Sequence, residues 1–169
     1  EGIMKALRAK GVTVKYDNRT SHKPGWKFNE YELKGIPVRI AIGPKDLEKG
    51  TVEVARRDIL EKQFMAMEEV ENAVPALLNE IQEHLFNKAL AFREDHITEV
   101  DDFETFKELL ETKTGFLSCH WDGTAETEDK IKTITKATIR CIPIDSELET
   151  GVCVFSGKPS KQRVLFAKA

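Results

Sequence analysis

An alternation of apolar and polar residues in two short segments constrains the fold of this chain more than any other feature. In IPVRIAIG (36–43) aliphatic side chains occupy every second position, and Arg39 falls on the opposite face. TVEVARR (51–57) repeats the pattern, with Val52 and Val54 separated by polar residues. A period of two residues is typical of a strand with one buried face. The two segments therefore predict neighbouring strands whose valines and isoleucines face a core and whose polar residues face outward.

The rest of the chain mixes helical and strand periodicities, which predicts an α/β protein. A long helix is expected to start near Asn72 or to kink at Pro75, and 96–101 reads as a linker or short strand. We therefore expect two domains, 1–96 with a mixed sheet flanked by helices, and 97–169 as a small α/β unit. The predicted helices cover 3–10, 27–34, 72–92, 101–113 and 122–137, and the other predicted strands cover 12–16, 62–67, 115–121, 138–144 and 162–169.

Several classes of protein are disfavoured by the composition. No apolar run approaches the roughly 20 residues that cross a bilayer. The start, EGIMKALRAKG, does not resemble a signal peptide, so we expect no membrane partner and a cytoplasmic location. Cys119, Cys141 and Cys153 form no C-x-x-C pair, which argues against a disulfide framework and a zinc ribbon.

Charge is distributed unevenly along the chain. Residues 1–66 contain 14 Lys and Arg against 9 Asp and Glu, whereas residues 67–169 contain 12 against 20. A polyanion would be attracted to the first part and repelled by much of the second. From the counts alone, a chance asymmetry between solvated surfaces is an equally good interpretation.

Motifs for catalysis are missing from the sequence. It contains no P-loop, no dinucleotide-binding glycine motif, no H-E-x-x-H and no nucleophile elbow. His120 follows Cys119 directly, but adjacent strand residues point to opposite faces and cannot form a catalytic dyad. We therefore predict no catalytic residue in this chain.

The segment 24–57 carries side chains suited to reading unstacked bases. Phe28 can stack on a base, Glu32 and Asp46 can accept hydrogen bonds, and Arg39 and Lys45 can donate them. A carboxylate near phosphates is costly unless it reads a donor, and the N1 and N2 edge of guanine offers two. The alternative is structural: Phe28 and Trp26 would pack under the sheet, while Glu32 and Arg39 would form an ion pair within the protein.

Longer motifs carry a resemblance to a known family. PGWKFNEYELKG, PVR, AIGPKDL and EVARRD closely resemble the anticodon-binding domain of prolyl-tRNA synthetases of the archaeal/eukaryotic-like type. DGTAETEDKIK, ATIRCIP, SGKP and FAKA are similar to the C-terminal domain of that type. The class II catalytic core and the first strand of the anticodon-binding domain have no counterpart here, so we expect this chain to be inactive alone.

The resemblance implies specific roles for the same five side chains. Phe28, Glu32, Arg39, Lys45 and Asp46 match the family positions that hold the two guanines of the proline anticodon. The resemblance also implies that the partners of this chain are tRNA(Pro) and the class II core of the same polypeptide. The parent enzyme would be a homodimer that attaches proline to tRNA using ATP and magnesium. The alternative is a structural module that docks on the core or the dimer partner without recognising RNA.

The C-terminal domain departs from the family pattern at a zinc site. Many members bind zinc through four cysteines, and the matching positions here are Asp122, Thr127, Cys153 and Ser156. Because Thr and Ser are poor zinc ligands, we predict no structural zinc and no metal site. A local core should stabilise this domain instead, and the chain ends at Ala169 where members tend to end in tyrosine. The expected core members are Trp121, Ile131, Ile139, Ile142, Val154 and Phe166.

Overall fold

The computed structural model describes residues 1–168 and divides the chain into two compact units. The first unit comprises Glu1–Ala89, and the second begins at Leu90. Both combine helices with sheets, which confirms the predicted α/β class. The division lies within one long helix, and the domain boundary expected between 96 and 97 lies just after that helix. Ala169, the last residue of the predicted terminal strand, lies outside the described residues.

The first unit is a three-stranded antiparallel sheet with helices. The sheet order is β1-β2-β3, and Ile40 of β1 pairs with Val54 of β2, while Val52 pairs with Met65 of β3. The elements in chain order are α1 (Gly2–Ala9), α2 (Pro24–Leu33), β1 (Val38–Ala41), α3 (Pro44–Lys49), β2 (Thr51–Arg56), β3 (Lys62–Ala66) and α4 (Val70–Asp95).

One face of this sheet, which we call the inner face, packs into a hydrophobic core. Val52 and Val54 are fully buried, as the alternation predicts. Helix α4 covers them with residues spaced three or four apart, and α1 contributes Leu7. The buried residues of α4 are Val70, Val74, Leu77 and Ile81.

Three details of the first unit differ from expectation. Residues 12–16 form no strand, although Val12 and Val14 do pack against the core, because no described segment pairs with them. The strand expected over 36–43 is limited to Val38–Ala41, which leaves Ile36 and Ile42 exposed beyond its ends. The described strands here are all antiparallel; mixed strand directions occur in the second unit.

Helix α4 begins at Val70, before the expected start at Asn72. The amide of Ala73 donates to the carbonyl of Glu69 at 2.9 Å, so the helical hydrogen bonds are already formed ahead of Pro75. Pro75 lacks an N–H and withdraws one donor from the next turn. The residues that flank it on the inner side, Val74 and Leu77, are buried.

The second unit contains a four-stranded mixed sheet, two helices and a small hairpin. The sheet order is β4-β5-β9-β6, with β4 parallel to β5 and the other pairs antiparallel, while β7 and β8 form the hairpin. The elements are β4 (Ile97–Glu99), α5 (Phe103–Thr112), β5 (Phe116–His120), α6 (Ala125–Thr135), β6 (Ala137–Cys141), β7 (Gly151–Val152), β8 (Pro159–Ser160) and β9 (Arg163–Lys168).

Both helices of this unit are capped by side chains, and most of its expected core is buried. Asp102 caps α5 by accepting from the amides of Glu104 and Thr105, each at 3.0 Å, and Thr124 caps α6. Of the expected core residues, three are buried and two partly buried, whereas Ile142 lies past the end of β6 and is exposed. The buried three are Ile131, Val154 and Phe166, and the partly buried two are Trp121 and Ile139.

Within residues 1–168, none of the helices has the length and apolar character that crossing a membrane would require.

Candidate nucleic-acid interface

The face of the first sheet opposite its core, which we call the outer face, presents two rows of side chains across the strands. In one row Arg39 of β1 lies opposite Ala55 of β2, which lies opposite Lys62 of β3. In the next row Ala41, Glu53 and Phe64 follow one another in the same order. The small alanines leave room above the sheet for the longer side chains.

Arg39 is held in place by an aromatic ring and a carboxylate. Its guanidinium carbon lies 3.6 Å from the centroid of the Phe28 ring, and its Nη1 donates to Glu53 Oε1 at 3.0 Å. Lys62 Nζ approaches the same oxygen at 3.6 Å. Only 13% of the Arg39 side chain is exposed. A planar cation stacked on a ring and paired with a carboxylate is oriented before any ligand arrives.

The ion pair expected under the structural alternative is therefore wrong in its partner. Arg39 pairs with Glu53, whereas the Glu32 carboxylate has no hydrogen-bond or salt-bridge partner among residues 1–168. Trp26 also differs from that alternative, because 48% of it is exposed and it stacks on His22 with ring centroids 3.8 Å apart.

A small cleft brings three of the five candidate residues together. Phe28, Glu32 and Arg39 line it, with Tyr31 and Arg57 beside them. The Arg57 Nε donates to the carbonyl oxygen of Glu32 at 2.8 Å, at the end of α2. Arg57 thus braces the helix that carries Phe28 and Glu32.

Lys45 and Asp46 lie on α3 and do not line this cleft. Asp46 Oδ2 accepts from the amide of Gly43 at 2.8 Å, at the N-terminus of α3, which is a capping contact. Lys45 is exposed. The helix α3 follows β1 directly, so it adjoins the end of the sheet at which Ala41 and Glu53 lie.

A network of charges fixes α2 to the loop that precedes it. Asp17 accepts from Arg19 Nη2 at 2.7 Å and from the hydroxyl of Tyr31 at 3.2 Å, and Arg19 also contacts Glu30 at 2.5 Å. The Arg19 hydrogen bonds hold the pKa of Asp17 well below its usual range. The loop is thereby joined to the helix through Tyr31, the residue next to Glu32.

Sequence reasoning did not identify Lys62 or Phe64 as part of this face. It predicted a strand near 62–67 without assigning its faces. Met65 points to the inner face, so its neighbour Phe64 points outward. Applying the same alternation to KQFMA would have found both residues.

The four positions that match the zinc cysteines of the family come together in the second unit as a polar cluster. Asp122 Oδ2 accepts from Ser156 Oγ at 2.7 Å and from Thr127 Oγ1 at 2.8 Å, and Cys153 Sγ accepts from the Ser156 amide at 3.5 Å. Thr124 Oγ1 donates to Asp122 Oδ1 at 2.8 Å. One thiol, two donating hydroxyls and a carboxylate that is already hydrogen-bonded do not fit a structural zinc ion.

The thiol of Cys119 has the character of a core side chain. It is fully buried, and burial raises its pKa to about 12. A nucleophilic cysteine needs an accessible thiolate, so Cys119 does not provide one at neutral pH.

Two family models match separate parts of this chain. A family model described as "Anticodon binding domain" matches residues 1–77, and one described as "Prolyl-tRNA synthetase, C-terminal" matches residues 103–169. A proline–tRNA ligase of Flavobacterium johnsoniae is 64% identical over 163 residues, covering 96% of this chain and 33% of the relative. One of Christiangramia forsetii is 60% identical over 167 residues, covering 99% of this chain and 34% of the relative.

A solved structure gives the same result. The crystal structure of prolyl-tRNA synthetase from Cryptosporidium parvum, complexed with L-proline and AMP, matches with a TM-score of 0.91 at 33% identity. The match covers 99% of this chain and 36% of that one. This chain thus spans roughly a third of the length of the relatives it matches.

The fold and the matched segments define the C-terminal region of an aminoacyl-tRNA synthetase. The chain belongs to the prolyl-tRNA synthetase family, of which it carries the anticodon-binding domain and the C-terminal domain. Neither matched segment is a catalytic domain.

Proposed function

We propose that this chain binds the anticodon of tRNA(Pro) as part of a longer prolyl-tRNA synthetase. That enzyme would attach proline to the tRNA using ATP and magnesium, with its class II core in the same polypeptide, as a cytoplasmic homodimer. The arrangement of Phe28, Glu32 and Arg39 in one cleft of the anticodon-binding domain is the observation that carries the proposal.

Stacking is the first contribution of the cleft. Because Arg39 covers one face of the Phe28 ring, a base stacks on the guanidinium plane or on the other face of the ring. Both surfaces are planar and can hold an unstacked base of any kind. Stacking therefore supplies affinity, and the choice among bases must come from groups at their edges.

Base choice is the contribution of Glu32. Its carboxylate lies at the cleft without a partner among the described residues, so it can accept hydrogen bonds from a ligand. Guanine presents N1–H and N2–H2 on its Watson–Crick edge, and one carboxylate accepts from both. Adenine offers a single amino group there and would leave a carboxylate oxygen desolvated and unpaired.

Charge is the third contribution. Lys45 is exposed on α3, which adjoins the end of the sheet at which Ala41 and Glu53 lie, and would contact a phosphate. Asp46 contributes by capping that helix. The excess of basic residues in 1–66 adds a long-range attraction for RNA, which salt weakens. The surplus of acidic residues later in the chain limits where the RNA lies.

The test is a titration of this chain with an anticodon stem-loop carrying UGG and with the same stem-loop carrying UAA, at two salt concentrations. We expect UGG to bind about 5- to 150-fold tighter, since a good base contact contributes about 1–3 kcal/mol. Glu32→Gln should reduce the preference for UGG, because the side-chain amide nitrogen cannot accept a hydrogen bond from the N1–H or N2–H2 of guanine. Arg39→Ala should weaken binding to both stem-loops. Glu71→Gln and Arg140→Ala alter exposed charges elsewhere and serve as matched controls.

Equal binding of the two stem-loops would refute base recognition. If Arg39→Ala and Glu32→Gln then altered only stability or self-association, the structural alternative would replace the proposal.

A further inference from the structure

Phe64 is an exposed aromatic residue that the cleft described above does not use. Its exposed fraction is 67%, although its strand is part of the central sheet of the first unit. It lies on the outer face, opposite Glu53 and one row away from Lys62. The ring points away from the core on an edge strand, so it does not contribute to the packing of the inner face.

The surroundings of Phe64 favour a nucleobase as its partner. Lys62 precedes it by two residues on the same face, so their Cα atoms are about 7 Å apart. The only carboxylate in its row, Glu53, is engaged by Arg39 at 3.0 Å and by Lys62 at 3.6 Å. The face around the ring therefore carries two cations and one neutralised anion, which suits RNA better than an acidic or purely apolar protein surface.

Phe64 is also continuous with the proposed anticodon site. Arg39 and Lys62 occupy the same row on the two outer strands, about 10 Å apart across two strand spacings. Phe64 lies one row further along β3 than Lys62, so it is about 12 Å from Arg39. Because this distance exceeds one stacked-base rise of about 3.4 Å, the base on the Phe64 ring would be splayed away from the base at Phe28 and Arg39, as single-stranded bases held on separate side chains are.

We infer that Phe64 is a stacking platform for a base flanking the two guanines, either the first anticodon base or the nucleotide after the third. The inference rests on the proposed function. It adds a second aromatic contact that is tolerant of base identity, because every base has a face on which a ring can stack. Phe64 would thus contribute affinity without contributing to the choice of anticodon.

The experiment compares the affinity of the wild-type chain, Phe64→Ala and Phe64→Trp for the UGG stem-loop. Phe86→Ala is the matched control, because Phe86 is 61% exposed but lies on α4, which packs on the inner face. We expect Phe64→Ala to weaken binding about tenfold or more and Phe64→Trp to retain it. Phe86→Ala should bind like the wild type, and all variants should keep the wild-type circular dichroism spectrum.

A second set of stem-loops identifies the base. Each nucleotide flanking the two guanines is replaced in turn by an abasic residue. One of the two abasic stem-loops should bind the wild-type chain as weakly as the intact UGG stem-loop binds Phe64→Ala. That same abasic stem-loop should bind Phe64→Ala no more weakly than the intact stem-loop does. The preference for UGG over UAA should survive in Phe64→Ala.

Two outcomes would overturn the inference. One is unchanged binding of UGG by Phe64→Ala, which would leave Phe64 as a contact for another protein surface. The other is an equal effect of Phe64→Ala on the intact and on both abasic stem-loops. If the wild-type chain fails to prefer UGG over UAA, it is the proposed function that fails, so the two failures are distinguishable.

Discussion

Replacing Asp122 by alanine should destabilise the second unit. The carboxylate accepts four hydrogen bonds, from the amide and hydroxyl of Thr124 at 3.1 and 2.8 Å and from the hydroxyls of Thr127 and Ser156 at 2.8 and 2.7 Å. Together these bonds join the first turn of α6 to the turn that follows Cys153. Hydrogen bonds to a charged group contribute about 1.5–3 kcal/mol each when their partners stay buried. Here the partners are only partly buried, and water replaces some of the loss.

The pKa of Asp122 gives a second measure of the same contacts. Desolvation raises this pKa, but the hydrogen bonds from Ser156, Thr127 and Thr124 outweigh it and lower the pKa from 3.8 to about 2. A change of that size corresponds to about 2 kcal/mol. We therefore expect Asp122→Ala to cost about 2–3 kcal/mol, or roughly 10–20 °C in the melting temperature of a unit of this size.

The assay is thermal and urea unfolding followed by the fluorescence of Trp121, whose Nε1 donates to the carbonyl of Thr124 at 3.1 Å. The chain has two tryptophans, so a Trp26→Phe background makes Trp121 the sole reporter. Asp145→Ala, which removes an exposed carboxylate in the loop after β6, is the matched control and should change stability little.

The pH dependence provides the refutation. Because the folded-state pKa is lowered, the stabilisation is complete above about pH 4 and is lost as the pH falls through 2. The difference in free energy of unfolding between wild type and Asp122→Ala should therefore disappear in acid. A gap below about 0.5 kcal/mol at neutral pH, or one of equal size at pH 2 and pH 7, would refute this reasoning.

Two further predictions concern the first unit. Asp58→Asn should cost about 2–4 kcal/mol in urea unfolding, since the side chain is 1% exposed and the change leaves Arg56 only its longer ion pair, with the exposed Glu80 at 3.4 Å. A cost no larger than that of the exposed control Asp95→Asn would contradict this prediction. Asp17→Ala should speed hydrogen exchange of the α2 amides and weaken binding of the UGG stem-loop, because Asp17 and Arg19 of the preceding loop are joined to that helix through Tyr31. Unchanged exchange would show that the helix is held by its other contacts.

Sequence periodicity predicted most of the longer elements and the buried faces of β1 and β2, but not the β7–β8 hairpin. Val52 and Val54 are buried because alternate residues of a strand point to the same face of the sheet, and one face of this sheet packs against the core. Alternation in 12–16 predicted a strand wrongly, since a strand also requires a partner, and periodicity carries no information about partners. Ile142 was misplaced for a related reason: the pattern continues past the residue at which pairing stops.

The candidate site could be predicted as a set of residues but not as a set of contacts. Grouping Phe28, Glu32 and Arg39 followed from strand faces and helix spacing, whereas the partner of Arg39 depends on register. Glu53 lies one row along from Arg39 on the neighbouring strand, and no local pattern fixes that offset. Phe64 was not identified because the strand near 62–67 was predicted without deciding which of its residues face the core.

The pairing of Arg39 with Glu53 has a consequence for what the cleft can recognise. A free arginine on this face would attract any phosphate, and binding would then depend on charge alone. Glu53 offsets that charge, and Phe28 holds the guanidinium plane at 3.6 Å, so the side chain loses little further freedom when a base arrives. Under the proposed function, Arg39 would serve as a rigid stacking surface and not as a phosphate contact, and Glu32 would provide the choice between bases. Arg39→Lys would keep the charge and lose the plane, which separates these two roles in a single substitution.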